Sequence, residues 1–245
     1  MNGLLDNIVW HTLTGPHSRY AVGTDVARRY ARGFSPIVGF LDGERPDFAA
    51  LVPHCEPGEH FYCDGWNGPA PSGWCIDAES TMFKMVFERA TPPADELPDA
   101  VALRAEHASA ALELAQLTRP GPFGLRTIEL GDYFGCFDGG RLVAMAGERM
   151  FAGRLREVSG VCTHPDFQGR GLARRLVAKL IARQVARGET PFLHVMRDNA
   201  AAHRLYVGMG FRDYRETVVR VVSRTHDAST VQRPPDANRE TTCSS

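Results

Sequence analysis

The chain of 245 residues carries 28 Lys and Arg against 29 Asp and Glu, a net charge of −1, with 43% hydrophobic residues. That is enough for one large globular domain or two small ones, and the balanced charge argues against nucleic acid or an anionic membrane surface as partner. The start, Met1 to Asn7, lacks the charged head and long apolar core of a signal peptide, and no apolar run approaches the ~20 residues that cross a bilayer, so a cytoplasmic protein is expected.

Residues 1–95 read as an N-terminal α/β region. Short helical and strand signals alternate there with turn clusters such as Trp66 to Gly73, and Ser80 to Phe87 has the pattern of a strand. Thr91-Pro92-Pro93-Ala94-Asp95 breaks the pattern as a connector. From about residue 100 the signals strengthen. Arg104 to Leu117 is helix-prone and ends before Pro120-Gly121-Pro122. Tyr133 to Met150 has the form of a hairpin turning at Asp138-Gly139-Gly140. A strand over Arg156–Thr163 follows, then a helix whose stripe is Leu172, Leu176, Val177, Leu180 and Ile181. A strand over Phe192–Met196, a helix over Asn199–Met209 and a β-branched strand over Tyr214–Ser223 complete the order, which predicts a mixed α/β fold with a central sheet over 100–225. Residues 226–245 are rich in Asp, Ser, Thr and Pro and read as a disordered tail.

Cys55, Cys63, Cys75, Cys136, Cys162 and Cys243 are expected as reduced thiols. His54, Cys55, His60, Cys63 and Cys75 crowd together, but none forms the compact Cys-x-x-Cys pair of structural zinc sites, so no metal is expected.

Gln168-Gly169-Arg170-Gly171-Leu172-Ala173 follows the apolar run Val158 to Thr163 and opens the long helix. A glycine-rich turn at a helix start aims backbone N–H groups and the positive end of the helix dipole at an anion, so a phosphate-bearing ligand is expected. Downstream, Asn199 stands seven residues before Tyr206, and Gly210-Phe211 follows. In this order the two segments resemble the signatures of the GCN5-related N-acetyltransferase superfamily, closest to its FR47-like branch, over about Thr118 to Arg224.

That resemblance implies an acyl-CoA N-acyltransferase fold in the C-terminal half. It also implies acetyl-CoA as co-substrate and transfer of the acetyl group to a primary amine by direct attack in a ternary complex. A small-molecule amine is the favoured acceptor, with no nucleic-acid or membrane partner; a homodimer is compatible with this reading. By the same resemblance Gln168, Gly169, Arg170, Gly171, Leu172, Ala173 and Arg174 hold the pyrophosphate, while Val161, Cys162 and Thr163 offer backbone to the pantetheine arm and the oxyanion. Cys162 is expected to be a small apolar residue rather than a nucleophile.

Tyr206 takes the position that protonates the departing thiolate, and Asn199 either orients pantetheine or caps its helix. Two residues compete as general base. Glu157, eleven residues before Gln168, ranks first; His194 stands where ribosomal-protein-modifying relatives carry a glutamate, a departure from that pattern. Arg175, Lys179, Arg183 and Arg187 read as a solvated helix face, and His164 as a surface residue. Residues 1–95 carry no defensible motif; two-domain relatives suggest a diverged duplicate or a lid on the acceptor site, with part of Phe61 to Trp74 facing the acceptor. A coenzyme A-binding sensor or scaffold, transfer to oxygen, and acetylation of a protein or peptide N-terminus are the alternative functions.

Overall fold

The structure, a computed structural model, describes residues 2–225; the expected disordered tail and Cys243 lie outside the described residues. Helices α1 (Asn2–Asp6) and α2 (Ile8–Thr14) precede strands β1 (Ala21–Gly23), β2 (Ala27–Tyr30), β3 (Ile37–Phe40), β4 (His60–Asp64) and β5 (Trp74–Phe87). After the connector come β6 (Val101–Ala102), α3 (Ala108–Thr118), β7 (Tyr133–Asp138), β8 (Arg141–Ala152) and β9 (Leu155–Thr163). The chain continues through α4 (Leu172–Ala186), β10 (Thr190–Met196), α5 (Ala200–Met209) and β11 (Phe211–Arg224). The element types expected beyond residue 100 are the ones observed, with ends displaced by a few residues. The Arg104–Leu117 helix starts later, at Ala108, after a short 3-10 turn over Ala105–His107.

Among the described residues all strands join one mixed sheet in the order β1-β2-β3-β4-β11-β5-β10-β9-β8-β7-β6. β5, from the stretch before the connector, lies between β10 and β11 and pairs antiparallel with both. The two halves of the sequence therefore share one set of ladder hydrogen bonds at the centre of the sheet.

The sheet is covered on both faces. On one, α4 and α5 bury Leu176, Val177, Leu180, Ile181 and Tyr206 against Val158, Leu193, Val195, Met85 and Phe211. Each such aliphatic or aromatic burial contributes about 1.5–3 kcal/mol relative to exposure. On the other face, α1 and α2 set Leu5, Ile8, Val9 and Leu13 against Ile37, Leu155 and Phe192, while α3 packs Ala111, Leu114 and Ala115 near Tyr133, Met145 and Cys162.

Two sequence expectations need correction. The α4 cations are not all solvated: Arg183 and Arg187 are exposed as expected, but Lys179 is not. Lys179 is buried and binds Asp95 Oδ2 at 2.6 Å and the Leu97 carbonyl at 2.9 Å. Arg183 and Arg187 each reach Asp132 at 3.0 Å, and Arg187 also pairs with Glu148 and Glu189. These cations tie α4 to the connector and to the loop before β7. His164, expected at the surface, is buried, its Nδ1 accepting from the Asp166 N–H at 3.2 Å.

Candidate active site

β9 and β10 run parallel and pair only from Leu155↔Thr190 to Glu157↔Phe192. Beyond that point β9 stays with β8 as far as Thr163↔Ala144, and β10 stays with β5 as far as Met196↔Met82, but not with each other. The sheet is thus forked at its centre, and the facing edges of Val158–Thr163 and Leu193–Met196 are left with unpaired backbone groups. The cause is local. Opposite Ala146, β9 carries an extra residue at Gly160–Val161, a bulge that bends the strand away. Gly160 sits there at φ +61°, and a Cβ on it would lie 3.0 Å from the Tyr133 ring, so both backbone and packing demand glycine.

At the open end of the fork the chain passes through a short turn (Pro165–Phe167) into α4. Gly169 and Gly171 take φ +75° and +72°, and a Cβ on either would meet nothing within 4 Å. Here glycine is required by left-handed backbone, and the space above the turn is open. No side chain caps α4, so its first-turn N–H groups face that space. Leu172 and Ala173 line the same cleft, while the exposed Arg170 guanidinium stacks over Phe167 at 4.5 Å. Arg174 is ion-paired with Glu96 from the connector. An uncapped helix N-terminus beside an open glycine turn fits a pyrophosphate.

The fork opens into a cleft of about 990 Å³ that runs from the Gln168–Leu172 turn to Val9, Ile37 and Tyr62 on the far side. Val161, Cys162, Thr163, His194, Asn199 and Tyr206 all line it, as do the turn residues expected at the pyrophosphate except Arg170, which is not among the lining residues. Burial pushes the Cys162 thiol up to about 11, and the Tyr206 hydroxyl up to about 12. The first shift removes Cys162 as a nucleophile near neutral pH. Asn199 Oδ1 accepts from the Ala202 N–H at 3.1 Å, so its side chain caps α5.

Glu157 departs from the expectation of a carboxylate free to act as base. It is 1% exposed, and Arg149 grips it in fork geometry, Nη2 to Oε1 at 2.7 Å and Nε to Oε2 at 3.0 Å. The Met150 N–H adds a third bond to Oε2 at 3.2 Å. Burial opposes its ionisation, but the Arg149 charge and the hydrogen bonds of His194 and Arg149 outweigh it and hold the carboxyl at about 2. A group so weakly basic, with its oxygens occupied, is a poor proton acceptor.

His194 Nδ1 lies 2.8 Å from Glu157 Oε1. An ionised carboxylate only accepts, so Nδ1 carries the hydrogen, and in the neutral ring it is Nε2 that presents the lone pair. That Nε2 is buried without a partner, as is Thr163 Oγ1. Both unpaired atoms belong to residues that line the cleft.

Sequence reasoning missed Arg149 and the distal walls. Arg149 had a visible signal, since Glu148-Arg149 is a charged pair inside the otherwise apolar stretch from Leu142 to Ala152, buried at both positions. Tyr62, Cys63 and Asp64, within the aromatic stretch expected at the acceptor, do line the cleft. Trp66 and Trp74 are buried in a separate core with Phe48 and Phe61. Among the described residues no group of three or more His, Cys, Asp or Glu is arranged to hold a metal, and no helix is long and apolar enough to cross a membrane.

Residues 133–221 match the family described as FR47-like protein. A stretch of 84 residues is 40% identical to the N-alpha-acetyltransferase RimI of Mycobacterium tuberculosis (strain ATCC 25618 / H37Rv), covering 33% of this chain and 51% of that protein. The chain thus spans about half the length of that curated relative. Among solved structures, a putative acetyltransferase from the GNAT family of Novosphingobium aromaticivorans DSM 12444 is 35% identical with a TM-score of 0.83, over 91% of this chain and 99% of that one. A GCN5-related N-acetyltransferase from Kribbella flavida shares the fold at 17% identity, TM-score 0.56, over 93% of this chain and 98% of that one. With its forked sheet, its glycine turn and a 35% identical relative matched over nearly its full length, the chain belongs to the GCN5-related N-acetyltransferase family.

Proposed function

We propose that the protein transfers an acetyl group from acetyl-CoA to a primary amine, with both substrates bound in the one cleft. Acetyl-CoA supplies the activated thioester. The first-turn N–H groups of α4 and the backbone of Gly169 to Gly171 hold its pyrophosphate, with Gln168, Leu172, Ala173 and Arg174 around it. The unpaired edge of β9 at Val161, Cys162 and Thr163 offers N–H groups to the pantetheine amides and to the carbonyl oxygen as negative charge develops on it.

His194 Nε2 accepts a proton from the incoming ammonium, and Glu157, clamped by Arg149, fixes the ring tautomer and stabilises the charged imidazolium. Glu157 is therefore a positioning residue. The amine nitrogen then bonds to the carbonyl carbon, the C–S bond breaks, and the second amine proton passes to sulfur. Tyr206, with its hydroxyl held near 12, assists by donating a hydrogen bond to that sulfur rather than by giving up its proton.

The observation that carries this reading is the pairing of a forked sheet with an unpartnered, carboxylate-oriented His194 Nε2 beside it. The RimI similarity favours a second acceptor, a protein N-terminus; the walls that α2, β3 and β4 add to the cleft favour a small molecule. The test is thiol release from acetyl-CoA across a panel of small amines and free peptide N-termini. Release with at least one amine is expected. Thermal stabilisation by coenzyme A with no turnover on any acceptor would instead point to a binding module.

A further inference from the structure

The end of the cleft away from the glycine turn has a chemistry of its own. Val9 from α2, Ile37 from β3, Met82 from β5, Met150 from β8 and Val219 from β11 line it, and the first four are each at most 8% exposed. The charged side chains in these walls are already committed. Asp64 accepts from Lys84 Nζ at 2.6 Å and Thr217 Oγ1 at 3.0 Å, and Lys84 is further held by the carbonyls of Leu5 and Asp6. Arg149 is spent on Glu157 and the Pro122 carbonyl. Arg119 lines the cleft from the exposed end of α3, outside the buried walls.

Among the described residues, then, no unpaired charge stands on the deep walls to receive a second charged group on the acceptor. Burying an ammonium or carboxylate there without a partner carries a heavy desolvation cost, whereas apolar surface gains on contact. Resting on the acetyl-transfer reading, we propose that the acceptor is a small primary amine with an uncharged, apolar alkyl or aryl body. His194 Nε2 takes the proton of its single amine, and the body fills the space between α2 and β5.

The test compares kcat/KM of the full chain for pentylamine and phenethylamine with that for cadaverine, which matches pentylamine in length but adds a second ammonium, and for a tetrapeptide with a free N-terminus. Pentylamine is expected to exceed cadaverine by about 10²-fold, and lengthening a monoamine from propyl to pentyl to gain about four-fold per methylene. Met82→Glu, which puts a carboxylate in the wall, is expected to reverse the preference towards cadaverine while leaving acetyl-CoA affinity unchanged. If that variant does not fold, Val219→Glu at the half-buried edge of the same wall makes the same test. Cadaverine or the peptide matching or beating pentylamine would overturn the substrate class and leave acetyl transfer standing. No thiol release with any amine would overturn both.

Discussion

The segment from β9 through α5 and the segment from α1 through β5 face each other across one cleft, yet they build it by different physics. The first contributes backbone: a bulge at Gly160, left-handed glycines at 169 and 171, and an uncapped helix start. The second contributes walls, apolar side chains from α2, β3 and β5 whose only shared property is that they fill space without charge. Recognition by backbone needs particular residues at particular spacing. Recognition by walls is satisfied by many sequences, and this difference explains why one side carries a motif and the other does not.

The sharpest way to break the comparison is at the backbone side. Gly171→Glu forces a side chain into left-handed backbone and sets a carboxylate where an anion is to bind, so acetyl-CoA affinity should fall by roughly 10³-fold or more by calorimetry. Unchanged affinity would show that the turn is an ordinary strand-to-helix connection. At the junction of the two sides, His194→Ala should lower kcat by about 10²–10⁴-fold with little change in the KM for acetyl-CoA. An unaltered kcat and pH–rate profile would remove His194 as the proton acceptor.

A smaller effect separates orientation from chemistry. Glu157→Gln leaves Arg149 buried without its counter-charge, so a loss of about 3–5 kcal/mol in chemical denaturation should accompany any loss of rate. A variant as stable as the parent would contradict the paired geometry. The mildest test belongs to the N-terminal segment. His17 is buried against Phe151 and bonded to Tyr30 at 2.8 Å, and burial, with Arg156 nearby, lowers its pKa to about 4. The unfolded chain takes up this proton near 6.5 and the folded chain only near 4, so stability is full above 6.5 and falls as pH drops between those values, by about 3 kcal/mol. Glu157 adds a second acid loss that begins below about 4.5 and runs towards 2. His17→Phe should flatten the first decline and leave the second; an unflattened curve would place the proton uptake elsewhere.

Legibility followed the same line. The hairpin over Tyr133 to Met150, the helix opening at Leu172 and the cap at Asn199 were readable because their turns and periodicity lie within a few contiguous residues. The order of strands was not, since β5 enters the sheet from beyond the connector and pairs with strands more than 100 residues away. Nor was the fate of Lys179, whose helical spacing with three arginines looks solvated until Asp95 and Leu97 fold over it.

By itself, then, the sequence determined the local conformations: where backbone must turn left-handed, where a helix begins uncapped, and which faces are apolar. Those properties follow from φ, ψ preferences and hydrogen bonds between near neighbours. Only the tertiary structure decided the roles of the charged residues. Glu157 and His194 stand 37 residues apart, and nothing local shows that they meet at 2.8 Å or that Arg149 closes over the carboxylate. Whether a carboxylate is a base or a buried anchor depends on which distant groups surround it and how much water they exclude, and that is settled only when the sheet assembles.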